Sequence, residues 1–223
     1  MIRLGPFRRP SAGPSGSGRE AWTDPLGLAA GHYVTPEPPR MTPPSATAPG
    51  FSHRLATLAD ADRLVPLMDA AIGELQRGFL SPEQIAASRM IMGIDRQLIQ
   101  DGTYFIVMAG MEIAGCGGWS RRATLYGGDH TPGRDAAPLD PALDAARVRA
   151  MYTSPAFARR GVGRLILSLC EAAARAEGFS RVELAGTMSG RPLYEACGYA
   201  VIEAILDDRG GAPVPLLRMG KAL

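Results

Sequence analysis

Apolar positions recur with two different periods along the chain, and the points where the period changes mark out its elements. Phe51 to Thr57 reads as a strand. Leu64, Leu67, Met68, Ala71, Ile72 and Leu75 then step by three and four residues, which lines one face of a helix, with Asp60 placed to cap it. Ser81-Pro82-Glu83-Gln84 is a second helix start: serine as cap, proline at the first helical position, glutamine three residues after the cap. Gly93 breaks that helix, and Asp95 restarts a short one that ends at Gly102. Thr103 to Ala109 and Glu112 to Trp119 flank Gly110-Met111 as a β-hairpin. Residues 120–143, rich in Gly, Pro, Asp and Arg, form a long loop.

Beyond that loop the alternation of strand and helix resumes. Arg147 to Thr153 is a strand, followed by Ser154-Pro155 and a glycine-containing turn. A long helix then runs to Glu177 with Leu165, Leu169, Ala172, Ala173 and Ala176 on one face, and Gly178 stops it. Arg181 to Ala185 is a strand, Pro192 to Cys197 a short helix, and Tyr199 to Ala204 another strand. Pro213 to Met219 is predicted as a last edge strand, because Pro215 is tolerated only at an edge. The first fifty residues differ from all of this. Ten prolines with Gly and Ser between them remove backbone donors and raise chain entropy, so 1–50 is expected to be a disordered tail and 51–223 the folded domain. No apolar segment of a secretory signal follows the early arginines, and the prolines suit a transit peptide poorly. Met41 is an alternative start site.

Composition narrows the function classes. The chain has 223 residues, 46% hydrophobic and 21% charged, as in a soluble globular protein. Its longest apolar runs fall well short of the ~20 residues of a membrane span. The formal charge of +2 is carried entirely by residues 1–50, which leaves a neutral body, poor material for gripping nucleic acid. Cys116, Cys170 and Cys197 are odd in number and widely spaced, which suits neither a disulfide framework nor a zinc site and points to the cytoplasm. All three read as small core residues; Cys197, one turn after Tyr194, has no adjacent His or Lys to lower its pKa. No metal is expected, and the oligomeric state is left open.

The chemistry concentrates in the strand–turn–helix of residues 147–177. Gly161 and Gly163 let the backbone turn tightly where a helix begins, so unpaired N–H groups and the positive end of the helix dipole face outward together. That is a cradle for a phosphate or pyrophosphate, and Arg159, Arg160 and Arg164 add charge around it. A Gly-x-Gly turn also serves merely to pack a helix on a sheet. The Walker A ending and the third glycine of a dinucleotide fingerprint are both missing.

Three motifs in order carry a resemblance. Met151-Tyr152-Thr153-Ser154-Pro155, then Arg159-Arg160-Gly161-Val162-Gly163, then Leu193-Tyr194-Glu195-Ala196-Cys197-Gly198-Tyr199 resemble the GNAT superfamily of N-acetyltransferases, over roughly residues 51–205. Ala158 departs from the Gln/Arg that the family pattern places there, and the loop 120–143 is longer than the family's usual connection. The resemblance implies an α+β fold, a mixed central sheet with helices on both faces, and transfer of acetyl from acetyl-CoA to a primary amine, on a small molecule or a peptide. It implies that Met151, Tyr152 and Thr153 offer backbone groups to the pantetheine arm. Amides of Arg159, Arg160, Gly161, Val162, Gly163 and Arg164 would hold the pyrophosphate, and Tyr194 would protonate the departing thiolate. Tyr194 could equally be a core ring with a satisfied hydroxyl. Asp129, His130 and Glu112 are candidate bases, and Trp119, Arg121, Arg122 and Tyr126 candidate linings of the acceptor pocket. Two other readings stay open: a non-catalytic CoA-binding module, and a nucleotide-binding enzyme sharing only the glycine turn.

Overall fold

The computed structural model describes residues 50–223; the proline-rich stretch read from sequence as a disordered tail lies outside them. Seven strands form one sheet: β1 (Ser52–Leu55), β2 (Tyr104–Ala109), β3 (Glu112–Ser120), β4 (Ala146–Thr153), β5 (Arg181–Thr187), β6 (Ala200–Asp207) and β7 (Val214–Ala222). Their spatial order is β1-β2-β3-β4-β5-β7-β6. Every pairing is antiparallel except that of β4 with β5. Five helices accompany them: α1 (Ala61–Leu75), α2 (Pro82–Ile91), α3 (Arg96–Gln100), α4 (Val162–Ala176) and α5 (Arg191–Ala196). This is the α+β architecture, a mixed sheet with helices on both faces, that the resemblance implies.

The period-two alternation of β2 separates the two hydrophobic layers. Tyr104 and Ile106 join Cys116, Leu64, Met68, Leu98 and Ile99 beneath α1 and α3. Val107 turns to the other face and packs with Val148, Val162, Ile166, Cys170 and Leu184 beneath α4. The capping box of α2 forms as the sequence predicts: Gln84 N–H donates to Ser81 Oγ at 3.3 Å, and Ser81 N–H donates to Gln84 Oε1 at 3.0 Å. Cys116 and Cys170 are buried and Cys197 half-buried.

Three local expectations are corrected. Asp60 does not cap α1; it closes a preceding turn by accepting from Thr57 N–H at 2.8 Å and from both ends of the Arg54 guanidinium. The buried stripe of α4 is Val162, Ile166, Leu167, Cys170 and Ala174, whereas Ala172 and Ala176 are exposed. Alanine is small enough to sit on either side of a helix, so the larger branched residues decide which way it turns. Finally, β7 is not an edge strand, because it lies between β5 and β6. Pro215 is nevertheless tolerated: β5 begins to pair with β7 only at Leu216, so at Pro215 the β5 side is already free of a ladder.

The long loop 120–143 is built rather than slack. Ala123 N–H donates to Ala137 O at 2.9 Å and Thr124 N–H to Asp135 O at 2.8 Å, which folds it back on itself. Thr131 Oγ1 then donates to Ile91 O at 2.6 Å, pinning the loop to the end of α2. Among the described residues no helix is long and apolar enough to cross a membrane.

Candidate active site

The sheet opens at its parallel pair. β4 and β5 run together for two residues, Ala146 against Val182 and Arg147 against Glu183, and then part. The closed end is held by Glu183, which takes ion pairs from Arg147 and, at 2.8 Å, from Arg218. A bulge drives the divergence: Cys116 pairs with Tyr152 and Gly118 with Arg149, so Ala150 and Met151 both face Gly117. Ala150 adopts φ +49°, a left-handed conformation unusual for a residue with a Cβ. The buried Tyr104 hydroxyl holds it there by donating to Ala150 O at 2.7 Å. On the side of β5, the backbone of Met151–Thr153 borders a gap instead of a paired strand.

That gap is a cavity of about 750 Å³ that passes between the parted strands. Val148–Thr153 form one wall, and Leu184, Ala185 and Thr187 of β5 with Leu193 and Tyr194 of α5 form the other. Its mouth is the start of α4. Gly161 sits at φ +90°, and a Cβ built there meets nothing within 4 Å, so space, as well as conformation, is open at this turn. Inside the turn the first N–H to reach a carbonyl is that of Leu165, on Gly161 O at 3.0 Å; the preceding amides stand at the helix's open end. Arg159 and Arg164 line the mouth. The backbone and charge present thus suit the diphosphate end of a CoA-type molecule.

The family model described as acetyltransferase (GNAT) family matches residues 69–199, more than half of the chain. The chain belongs to the GNAT acetyltransferase family. A search of the curated proteins returns no match. Among solved structures, the chain is similar to an N-acetyltransferase from Rhodopseudomonas palustris, with a TM-score of 0.60 and 16% identity over 80% of this chain and 99% of that one. It is also similar to the PaiA N-acetyltransferase from Thermoplasma acidophilum, which was solved in complex with coenzyme A, with a TM-score of 0.52 and 14% identity over 78% and 99% of the two chains. At these identities the likeness establishes a shared fold, and the GNAT fold is the one described above.

Within this GNAT domain the residues singled out from sequence separate into two groups. Met151, Tyr152, Thr153, Arg159, Gly161, Val162, Gly163, Arg164 and Tyr194 all line the one cavity. Arg160 does not: its guanidinium stacks over Phe157 at 5.0 Å and Phe51 at 5.9 Å, leaving its amide as its contribution to the turn. Tyr194 is half-buried, its ring edge-on to Tyr199 at 6.1 Å. A Cβ on either Gly186 or Gly190 would come within 2.8 Å of that ring, so these two glycines make its seat. Burial pushes the Tyr194 phenol up to about 12, which keeps it protonated. Cys197, with its pKa also raised by burial, is no activated nucleophile.

The second group is scattered. Asp129 is spent on Arg96 at 2.8 Å and Arg134 at 3.4 Å. His130 is exposed and packs against Gly93, and Glu112 is exposed at the tip of the hairpin. None of the three lines the cavity. Trp119 is buried against Phe179, Arg121 pairs with Glu177 at 2.9 Å, and Arg122 pairs with Asp101 at 2.7 Å, so of the predicted acceptor-side residues Tyr126 alone lies on the cavity wall.

Sequence reading missed a group of buried polar side chains at the α3 end of the cavity. Arg149 is buried on β4, with Nη2 at 2.8 Å from Asp95 Oδ2 and donating to Gly127 O at 2.8 Å. Asp95, also the cap of α3, accepts from Arg134 at 2.7 Å through its other oxygen. Burial lowers the Arg149 pKa and Asp95 opposes that shift. The Tyr152 side chain was expected only to follow its backbone; its hydroxyl instead accepts from Gly93 N–H at 2.9 Å, tying β4 to the α2–α3 connection. The one available signal for Arg149 was its charge on a strand that turns Val148 and Ala146 into the core, and Arg147 beside it carries the same signal.

Proposed function

We propose that residues 51–223 form an N-acetyltransferase domain that moves acetyl from acetyl-CoA to a primary amine by direct attack. The observation that carries this reading is the parting of β4 and β5 with an open helix start at its mouth, because it joins an unpaired strand edge and an anion cradle in one continuous cavity. The backbone of Met151 and Thr153 pairs with the pantetheine arm as an added strand would. The amides of Arg159 to Arg164 hold the pyrophosphate, helped by the side chains of Arg159 and Arg164. A strand amide near Tyr152 faces the thioester oxygen as negative charge develops there. Tyr194, protonated and seated on the opposite wall, donates to the departing sulfur.

Calorimetry with acetyl-CoA, CoA and ATP tests the cradle, and a thiol-release assay over an amine panel tests transfer. CoA binding with ATP excluded and turnover on an amine is the expected result. Tight CoA binding without turnover on any amine would instead support a binding module.

A further inference from the structure

The acceptor end of the cavity has a definite chemical character. On the α1 side of the parted strands its walls are Ile72, Leu75, Phe79 and Met92, with the Gln76 amide among them turned onto Ile72 O. Among the described residues that line it, none carries a carboxylate or an imidazole. The charged group present is Arg149. Its Nη2 is engaged, but its Nε is buried and has no hydrogen-bond partner. The ionisable groups around it are Asp95 and Arg96 of α3, Asp129 and Arg134 of the long loop, and the phenols of Tyr126 and Tyr152. The three arginines outweigh the two carboxylates by one charge, and the phenols are neutral, with pKa values raised by burial.

Such a site repels an ammonium ion and offers it no protein group to take its proton. The acceptor nitrogen must therefore arrive neutral. The α-amino group of a peptide or an amino-acid amide, with an ordinary pKa near ~7.7–8.0, is about one-third neutral at pH 7.5, whereas a lysine ε-amine near ~10.4 is about 0.1% neutral, a difference of roughly 200-fold. Such an α-amine also carries a carbonyl oxygen on the adjacent carbon, the acceptor that a spare guanidinium N–H lacks. Resting on the transferase reading above, we propose that the acceptor is the α-amino group of an N-terminal apolar residue, its neighbouring carbonyl oxygen bound by Arg149 and its side chain against the α1 wall. The neutral amine forms the C–N bond with its lone pair as the C–S bond breaks. The sulfur leaves with that electron pair as a thiolate, hydrogen-bonded by the Tyr194 phenol. The surplus proton on nitrogen passes through water to the thiolate, and the phenol keeps its own.

The test uses the full chain, acetyl-CoA and thiol release, with four probes: leucinamide, a leucine-initiated tripeptide, free leucine, and Nα-acetyl-lysinamide, which has only an ε-amine. Leucinamide and the tripeptide should exceed the ε-amine probe by about 100-fold or more in kcat/KM at pH 7.5. Free leucine, whose carboxylate makes its amine more basic, should fall well below both, which separates a peptide N-terminus from a free amino acid as the source. The pH profile of kcat/KM should rise with the acceptor's own pKa and move with it from probe to probe. Arg149→Lys, which keeps a cation beside Asp95, should raise KM for the preferred probe about tenfold with acetyl-CoA affinity unchanged. An Asp95→Asn/Arg149→Gln double variant, which removes both buried charges together, should do the same if the single variant folds poorly. An ε-amine probe within tenfold of leucinamide and the tripeptide, or an acidic limb fixed at one pH for every probe, would overturn the proposal while leaving the transferase intact. No turnover on any probe or other amine, with acetyl-CoA still bound, would instead remove the transferase reading itself.

Discussion

Replacing Tyr194 by phenylalanine removes one oxygen and leaves the ring on its seat against Gly186, Gly190 and Tyr199, so the stability of the fold should change by less than ~0.5 kcal/mol. The effect on catalysis follows from the environment of the phenol. Burial pushes it up to about 12, whereas an ordinary thiol titrates near ~8.5, so complete proton transfer even to the fully formed thiolate would be uphill by roughly 5 kcal/mol. The phenol therefore acts as a hydrogen-bond donor to sulfur as negative charge develops. Such a bond to an ionic acceptor contributes about 1.5–3 kcal/mol, which corresponds to a fall in kcat of roughly 10- to 150-fold. The raised pKa also sets the sign of the pH dependence. A group needed in its protonated form is lost as pH rises through its pKa, so this acid should still function near pH ~10, where an ordinary tyrosine is half ionised. Single-turnover thiol release measures kcat, and calorimetry measures CoA affinity on the same samples. An unchanged kcat, or a loss of CoA affinity as large as the loss of rate, would refute the reasoning.

Gly161→Asp and Gly163→Glu should each abolish CoA binding in calorimetry: the first places an anion in the cradle, and the second drives a Cβ to 2.6 Å from Leu193 Cδ2 as well; retained affinity in both would mean the pyrophosphate is held elsewhere. Asp95→Ala leaves the Arg149 cation buried without its 2.8 Å partner, a loss of about 3–5 kcal/mol that should lower Tm by roughly 6–20 °C in thermal unfolding; a drop under ~2 °C would show that the pair carries little. Asp60, held well below the usual carboxylate range by Arg54, and then by Thr57, contributes stability that is present above the unfolded carboxyl's ~3.9 and lost as pH falls. Because Arg54 is 44% exposed on its side chain, Asp60→Asn should cost only about 1 kcal/mol at pH 7. That gap should shrink at pH 3 in urea titrations; a gap independent of pH would contradict the ion pair.

The sequence reaches furthest where a few neighbouring residues settle the outcome. The capping box at Ser81 and Gln84, the hairpin turn at Gly110, the helix restart at Asp95 and the open turn at Gly161 all depend on groups within four residues of one another. Chain geometry fixes such distances before any tertiary contact forms, so the open turn and its helix were legible from residue order alone. The one-sided stripe of α1 was legible for the same reason. The stripe of α4 was not: alanines 172, 173 and 176 carry no directional signal, and only the sheet beneath the helix shows that Ile166 and Cys170 face inward.

Tertiary structure decided everything that depends on which distant charges meet. Asp129 and His130 look like catalytic groups in a loop until the loop folds onto α3, where Arg96 and Arg134 take the carboxylate. Arg149 and Asp95 lie 54 positions apart, and burial of both in one place makes them an ion pair at the cavity wall. The place of β7 between β5 and β6 is likewise set by which strand edges remain open once the others have paired. Local order follows from steric and hydrogen-bonding rules that act over one turn. The partner of a charge, the neighbour of a strand and the contents of a cavity follow from the free energy of burying the whole chain at once, which no short stretch of sequence encodes.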